Sequence, residues 1–519
     1  MNGAQRLLQT LVASGVDVCF MNPGTSEMHF VAALDAVPEM RPILTLFEGV
    51  ATGAADGYAR MTGRPAATLL HLGPGLSNAL ANVHNARRSH SPMLNVIGDH
   101  AHQHQQYDAP LASDIMGLAR PLSDWARSSA SSDELARDAL EAIRVARTPP
   151  GKISSLILPA DVSWGAVTDT APLKPALAPD PERVDEATIA HCAEVLQRND
   201  ANARSVLLLN HAALSERSLL AAERIARKTG AALYCDTFAA RWPRGAGRPK
   251  LERVGYFAEM ALEQLQATKH LLLFGTKAPV AFFAYPDKPS SLVPEGCEVH
   301  ACASAAHDCA DALERLADRL GAHGGEPVLA AHKPPARPTG ALNSQSVGAA
   351  VAALLPEDAI VVDEGNTEGI FTFLHSAHAA RHDWLHNQGG SIGMGLPLAV
   401  GAAVACPDRK VICLEGDGSA MYTIQALWTM ARENLDVVTI VFANRSYRIL
   451  NIELGRVGAG SAGQRAKDML DLTRPELDFV KLAESMGVPA CRPSTAEALC
   501  EVLERALQHK GPQLIECRV

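Results

Sequence analysis

Short continuous apolar runs alternate with stretches of helical periodicity along the whole of this chain. Ile43 to Phe47 and Ala67 to Leu70 begin the series, Val206 to Leu209 and Leu271 to Phe274 continue it, and Val411 to Leu414 and Val437 to Phe442 complete it. A strand that is apolar at every position is buried on both faces, as in parallel sheets held between layers of helix. The pattern therefore predicts an α/β protein built of doubly wound, mainly parallel sheets. Two proline-rich stretches interrupt it: residues 171–181, with prolines at 172, 175, 179 and 181, and Lys333 to Pro338. Read as linkers, they divide the chain into three α/β domains at 1–170, 182–332 and 340–519. A length of 519 residues agrees, since one core serves roughly 150 residues.

Composition narrows the classes. With 47% hydrophobic and 20% charged residues, the chain can bury large cores. The net charge of −10 comes with no basic block, so nucleic acid is not expected as a partner. The most apolar stretch, Ile392 to Cys406, is too short for a membrane span and is broken by Gly395 and Pro397, so no membrane association is expected. The N-terminus lacks the apolar core and cleavage site of a secretory signal, and a cytoplasmic protein is expected. Eleven cysteines without a Cys-x-x-Cys pair read as reduced core thiols.

The sharpest chemical signal is Glu415-Gly416-Asp417-Gly418-Ser419, which follows the apolar run Val411 to Leu414 and precedes a helical stretch. A second strand ends at Ala443 and delivers Asn444-Arg445-Ser446, with Asn444 lying 27 positions after Asp417. One helix and one strand separate the two, so neighbouring parallel strands would present both at their carboxyl ends, where open α/β sheets bind ligands. A carboxylate and an amide oxygen suit the hard, octahedral demand of magnesium, and the flanking glycines let backbone approach a phosphate. Alone, Gly-Asp-Gly is as often an ordinary strand-to-helix turn capped by Asp; the spacing to Asn444 favours the metal.

The run Gly416-Asp417-Gly418 through Asn444 resembles the diphosphate motif of thiamine-diphosphate enzymes, in the branch of benzoylformate decarboxylase and acetolactate synthase. The resemblance spans nearly the whole chain. It implies that Asp417, Asn444 and the Ser446 carbonyl hold Mg2+, and that Gly416, Gly418 and Ser419 line the diphosphate. Relatives show Asn-Asn where this chain has Ala443-Asn444. Phe47-Glu48-Gly49, followed by Ala54 to Arg60, is similar to the family's activating segment, so Glu48 is expected to be the carboxylate that switches the cofactor's aminopyrimidine to its imino form. A lone Glu there would otherwise read as a first-turn acid favoured by the helix dipole. Gln388 to Pro397 is similar to the segment that bends the cofactor, which puts Ile392 beneath it as the wedge and the Gly390 carbonyl at the 4′-amino group. Asp363 to Thr367 is similar to a second diphosphate loop, with Asn366 as a phosphate donor.

On the substrate side, Asn22 to Glu27 and Leu70 to Gly75 resemble the loops of benzoylformate decarboxylase that handle protons, through Thr25 and His71. Ile449 and Glu453 follow Asn444 on a segment expected to roof the pocket, where Glu453 would disfavour a second anion on the substrate tail. His100, His102 and His104 mimic metal spacing but read as a solvated loop. Residues 180–331 give no dinucleotide fingerprint, so no FAD is expected. The resemblance implies a lyase that decarboxylates a 2-oxo acid or joins an aldehyde by a C2-carbanion/enamine route, working as a homodimer or homotetramer with active sites at the subunit interface. An acetolactate-synthase-type transferase is the alternative enzyme, disfavoured because those enzymes carry Trp where Glu453 falls. A catalytically silent cofactor-binding or regulatory protein is the alternative of another class, disfavoured by intact Glu48, Asp417 and Asn444.

Overall fold

The computed structural model describes every residue except 172, 173, 176, 201, 202, 460 and 461; Pro172 of the first proline-rich stretch thus lies outside the described residues. Three sheets organise the chain. The first comprises β1 (Val18–Met21), β2 (Arg41–Leu44), β3 (Ala66–Leu70), β4 (Met93–Asp99), β5 (Trp125–Ser128) and β6 (Ile153–Pro159) in the order β2-β1-β3-β4-β6-β5, all parallel. The second is formed by β7 (Arg204–Leu209) and β8 (Ala232–Cys235), with β10 (Glu252–Arg253), β11 (Thr268–Phe274) and β12 (Glu298–Ala303), in the order β10-β8-β7-β11-β12. The third contains β13 (Ala359–Glu364), β14 (His382–His386), β15 (Val411–Gly416), β16 (Val437–Ala443), β17 (Ala490–Cys491) and β18 (Gln513–Arg518). Its order is β17-β18-β16-β15-β13-β14-β9, where β9 (Trp242–Arg244) runs antiparallel to β14. The fold is therefore three α/β units with parallel sheets, and the all-buried patterns of β3, β6, β15 and β16 are what both-face coverage requires. No helix among the described residues is long and apolar enough to cross a membrane.

Two helices of small residues lock the first and third units together. Helix Glu48–Thr62 is buried along nearly its whole length, as is helix Gly395–Ala405. A Cβ built on Gly57 would lie 2.2 Å from the Leu398 carbonyl oxygen, and one on Gly53 would lie 2.5 Å from Pro397. Backbone therefore packs on backbone, which only glycine permits here. A buried pair, Arg60 with Asp56 at 2.7–2.8 Å, extends the joint, because the Arg60 guanidinium also donates to the carbonyls of Ala240 and His386 at 3.1 and 2.7 Å. All three units meet at that one side chain.

Candidate functional site

β15 and β16 are parallel neighbours, with Gly416 in register with Phe442, so the residues after them emerge side by side at the carboxyl edge. Asp417 opens the short helix Asp417–Ala420. Its Oδ1 accepts the Gly418 N–H at 2.8 Å and its Oδ2 the Arg445 N–H at 2.5 Å, the second bond closing the two strand ends on each other. Arg445 holds a left-handed backbone, φ 58°, and this bend lets the Asn444 Oδ1 accept from the Ser446 N–H at 3.0 Å. The Ser446 carbonyl takes the Arg448 N–H at 2.8 Å and keeps a second lone pair. Burial, with lesser help from the charge of Glu368, pushes the Asp417 carboxyl up to about 6. A cation at this edge would hold it ionised. The donor set of carboxylate, amide oxygen and carbonyl is oxygen-only, as Mg2+ requires.

The glycines fit a phosphate approach. A Cβ on Gly416 would crowd Ser419 Oγ and Asn366 Nδ2 at 3.2–3.3 Å, and one on Gly418 would strike the Tyr447 ring at 2.5 Å. Asn366, at φ 50°, points its amide to Ser419 Oγ at 3.4 Å. Glu368, absent from the sequence reading, is buried behind them and accepts from Asn444 Nδ2 at 3.2 Å and Arg448 Nη1 at 2.9 Å.

The Gly389 to Gly395 loop sits on a pair of carboxylates that also escaped sequence reasoning. Glu364 accepts the N–H groups of Gly393 at 3.1 Å and Gly395 at 2.7 Å, together with Asn387 Nδ2 at 3.3 Å. Burial raises its carboxyl to about 7. Glu415, fully buried, is raised further, by burial first and then by the Glu364 charge. From the other unit, Asn82 donates to the Gly393 carbonyl at 3.2 Å and Asn85 to the Ser391 carbonyl at 2.8 Å. Gly390 has φ 81°, and Ile392 is half-buried in the loop. The segment is thus clamped from below and from the side, and only the Asp363–Asn366 loop hinted at the clamp.

Glu48 begins its helix with only 6% exposure. Asn78 donates to its Oε2 at 3.0 Å, and Gly75 leaves room for its Oε1. Among the described residues, no hydrogen bond or ion pair joins Glu48 to Asp417, Asn444 or Ser446. His71 caps the amino end of helix Leu72–Arg88, and its Nδ1 lies 2.8 Å from Glu27 Oε2, which also accepts the Gly24 N–H at 2.7 Å. Burial raises the Glu27 carboxyl while His71 opposes the shift. Thr25 is exposed at the start of the turn Thr25–Glu27 and makes no side-chain hydrogen bond among the described residues, so His71 is coupled to Glu27 rather than to Thr25. Glu453 is turned toward the second unit: it accepts from Tyr285 Oη at 2.7 Å and lies 3.9 Å from Arg456 Nε. Its side chain is 12% exposed, so it does not face solvent, and Arg456 offsets its charge. Ile449 is half-buried on the same helix, Arg448–Arg456. His102 pairs with Asp161 at 2.9 Å and begins the short exposed helix His102–Gln105 rather than lying on a loop.

Comparison with known proteins agrees with this arrangement. Residues 1–118 match the thiamine pyrophosphate enzyme N-terminal TPP-binding domain and residues 363–517 the C-terminal TPP-binding domain. The chain is 54% identical to the candidate acetolactate synthase large subunit IlvX of Mycobacterium tuberculosis, over 99% of this chain and 98% of that one. It is 30% identical to benzoylformate decarboxylase of Pseudomonas aeruginosa, over 97% and 96%. Among solved structures, the thiamine diphosphate-dependent 4-hydroxybenzoylformate decarboxylase of Rhodococcus jostii RHA1 superposes with a TM-score of 0.86 at 26% identity, covering 100% of this chain and 99% of that one. With two matched TPP-binding domains and relatives aligned over nearly its whole length, the chain belongs to the thiamine pyrophosphate enzymes, in their decarboxylase and acetolactate synthase branch.

Proposed function

We propose that this enzyme is a thiamine-diphosphate- and Mg2+-dependent 2-oxo acid decarboxylase or carboligase, with residues 1–170 holding the pyrimidine, 340–519 the magnesium diphosphate and 182–332 between them. The observation that carries the reading is the convergence of Asp417 and the Asn444 to Ser446 turn at the ends of adjacent strands, bonded to each other through the Arg445 N–H. When bound, the cofactor would supply a nucleophilic carbon and a sink for the electrons released with CO2. The chain's part is positioning and proton traffic. Asp417, Asn444 Oδ1 and the Ser446 carbonyl would hold the metal, while Gly416, Gly418, Ser419 and Asn366 border the diphosphate. Glu48, fixed by Asn78, would share a proton with N1′ of the pyrimidine. The Gly390 carbonyl would accept from the 4′-amino group, and Ile392 would support the bend. His71, its Nδ1 tied to Glu27, would use Nε2 for a proton on the bound substrate, and Thr25, on the same turn as Glu27, would be the second proton-handling group. Ile449 and Glu453 would border the substrate tail.

Exposed Met421, Tyr422, Leu450 and Ile452 leave apolar surface around this edge for a second copy, which supports a homodimer or homotetramer with shared active sites. The identity to IlvX favours a second reading, an acetolactate-forming transferase. Feeding pyruvate and assaying acetolactate against aldehyde separates the two. The test of the cofactor role is hydrogen–deuterium exchange at C2 in Glu48→Gln, where an amide cannot supply the proton. Exchange slowed by roughly 100-fold or more is expected, as for loss of one positioned acid–base group; exchange at the parent rate would place the activating group elsewhere.

A further inference from the structure

A cluster of imidazoles lies on the central sheet, away from everything the proposed reaction uses. β11 and β12 are parallel, with His270 in register with Glu298, and His300 follows two residues on. Alternation along a strand puts residues two apart on one face, so Glu298 and His300 point the same way, and His270 joins them from the neighbouring strand. The three ligand atoms form a near-equilateral triangle: His270 Nδ1 to His300 Nε2 3.3 Å, His270 Nδ1 to Glu298 Oε2 3.5 Å, and His300 Nε2 to Glu298 Oε2 3.8 Å. The point equidistant from atoms so separated lies about 2.0 Å from each, which falls at the Zn–N and Zn–O distances of about 2.0–2.2 Å. Hydrogen bonding alone does not require these three polar atoms to share one centre.

We propose that His270, His300 and Glu298 form a binding site for a borderline divalent transition ion of the zinc class, distinct from the magnesium edge. Two imidazole nitrogens and one carboxylate suit Zn2+ rather than Mg2+. A supporting shell is present as well. His191, on helix Glu186–Gln197, lies with its Nε2 3.1 Å from His300 Nδ1. If His300 Nδ1–H donates there, the Nε2 lone pair is directed at the shared centre, the usual arrangement behind a metal-bound histidine. Glu298 is 70% exposed, so the fourth position opens to solvent. Because β12 is the edge strand of its sheet, an ion here would clamp that edge to β11 and, through His191, to the covering helix.

The test uses the full-length protein loaded with thiamine diphosphate and excess Mg2+, titrated with Zn2+ by calorimetry. One zinc per chain is expected, with a raised melting temperature. His270→Ala and His300→Ala should abolish that binding, Glu298→Gln should weaken it, and His191→Ala should weaken it about 10–100-fold, as losses of an orienting partner do. His270→Gln and His300→Gln keep side-chain bulk and hydrogen bonding in case the alanine variants unfold; they should lose zinc while retaining C2 exchange. No saturable zinc binding, or binding of undiminished affinity in the His270 and His300 variants, would overturn the site and leave the cluster a chain of histidine hydrogen bonds.

Discussion

The joint between the two cofactor-facing units can be tested at one atom. A Cβ on Gly401 would sit 1.8 Å from the Ala54 carbonyl oxygen and 2.6 Å from the Tyr58 nitrogen. Carbon and oxygen need a little over 3 Å, so Gly401→Ala must drive helix Gly395–Ala405 away from helix Glu48–Thr62 by more than about 1 Å, and backbone atoms cannot swing aside as a side chain would. Overpacking of this kind costs about 1–3 kcal/mol, and the upper end applies because fully buried Ala54, Ala55, Leu398 and Val400 lose contact together. Ala in a helix returns about 1 kcal/mol relative to Gly, leaving a net destabilisation of about 2 kcal/mol. For units of this size that is a melting temperature lower by roughly 4–8 °C. Glu48 and Gly395 are the first residues of these helices, so the same displacement should weaken cofactor affinity and slow C2 exchange. Gly455→Ala, in open space on helix Arg448–Arg456, is the control and should be neutral or slightly stabilising. Calorimetric melting of both variants decides it: a Gly401→Ala protein as stable as the parent would mean that the helices are not in backbone contact.

Three further outcomes are expected. Asp417→Ala should cut thiamine diphosphate affinity in the presence of Mg2+ by roughly 100-fold or more, as loss of a direct metal ligand implies, while the apo fold survives because a buried carboxylate near Glu368 is removed; calorimetric titration measures it. Asp236 is buried and pushed up to about 6 from 3.8 by desolvation, so the folded chain holds a proton that the unfolded chain has released, and this group's stabilising contribution is full below about pH 4 and lost as pH rises through about 6. Asp236→Asn keeps an acceptor for Thr276 and Asn210 and should gain on the parent as pH rises, by at most about 3 kcal/mol near pH 8; urea unfolding across that range checks it, and a gap independent of pH would refute it. Purified protein should be colourless and its activity unchanged by added FAD, which an absorbance spectrum and a rate measurement test directly.

Elements of the site that obey local rules were legible in the chain. Val411 to Leu414 and Val437 to Phe442 are apolar at every position, so their burial and parallel pairing follow from pattern alone, and the turn residues after them place Asp417 and Asn444 at one edge. The close packing of the Glu48 helix was legible because a run of Gly and Ala lets a neighbour approach closely, and Pro397 and Leu398 do, whereas the role expected of Glu48 itself came from the resemblance alone. Other features rest on partners that no period announces. Glu27 and His71 come from separate loops joined only by the packing of β1 on β3, and the sequence reading named His71 with Thr25, two positions before Glu27. β9 belongs by chain position to the second unit but pairs with the third sheet, because three residues carry too little pattern to declare a partner.

The same reasoning explains why the unread groups support the site rather than form it. A group that touches a conserved chemical object, such as a phosphate or metal, sits on a turn whose backbone demands glycine or a left-handed bend, and such turns have sequence signatures. Glu364 is the last residue of strand β13 rather than part of a turn: it accepts the Gly393 and Gly395 N–H groups, and Glu415 arrives from the next strand with a carboxyl raised by burial first and then by the Glu364 charge. The same holds for Glu453, whose bond to Tyr285 ties the third unit to the second through a partner 168 positions away in the chain. Whether a carboxylate works on the substrate or on the scaffold is decided by what lies within 3 Å of it, and for these residues that neighbour comes from another part of the chain.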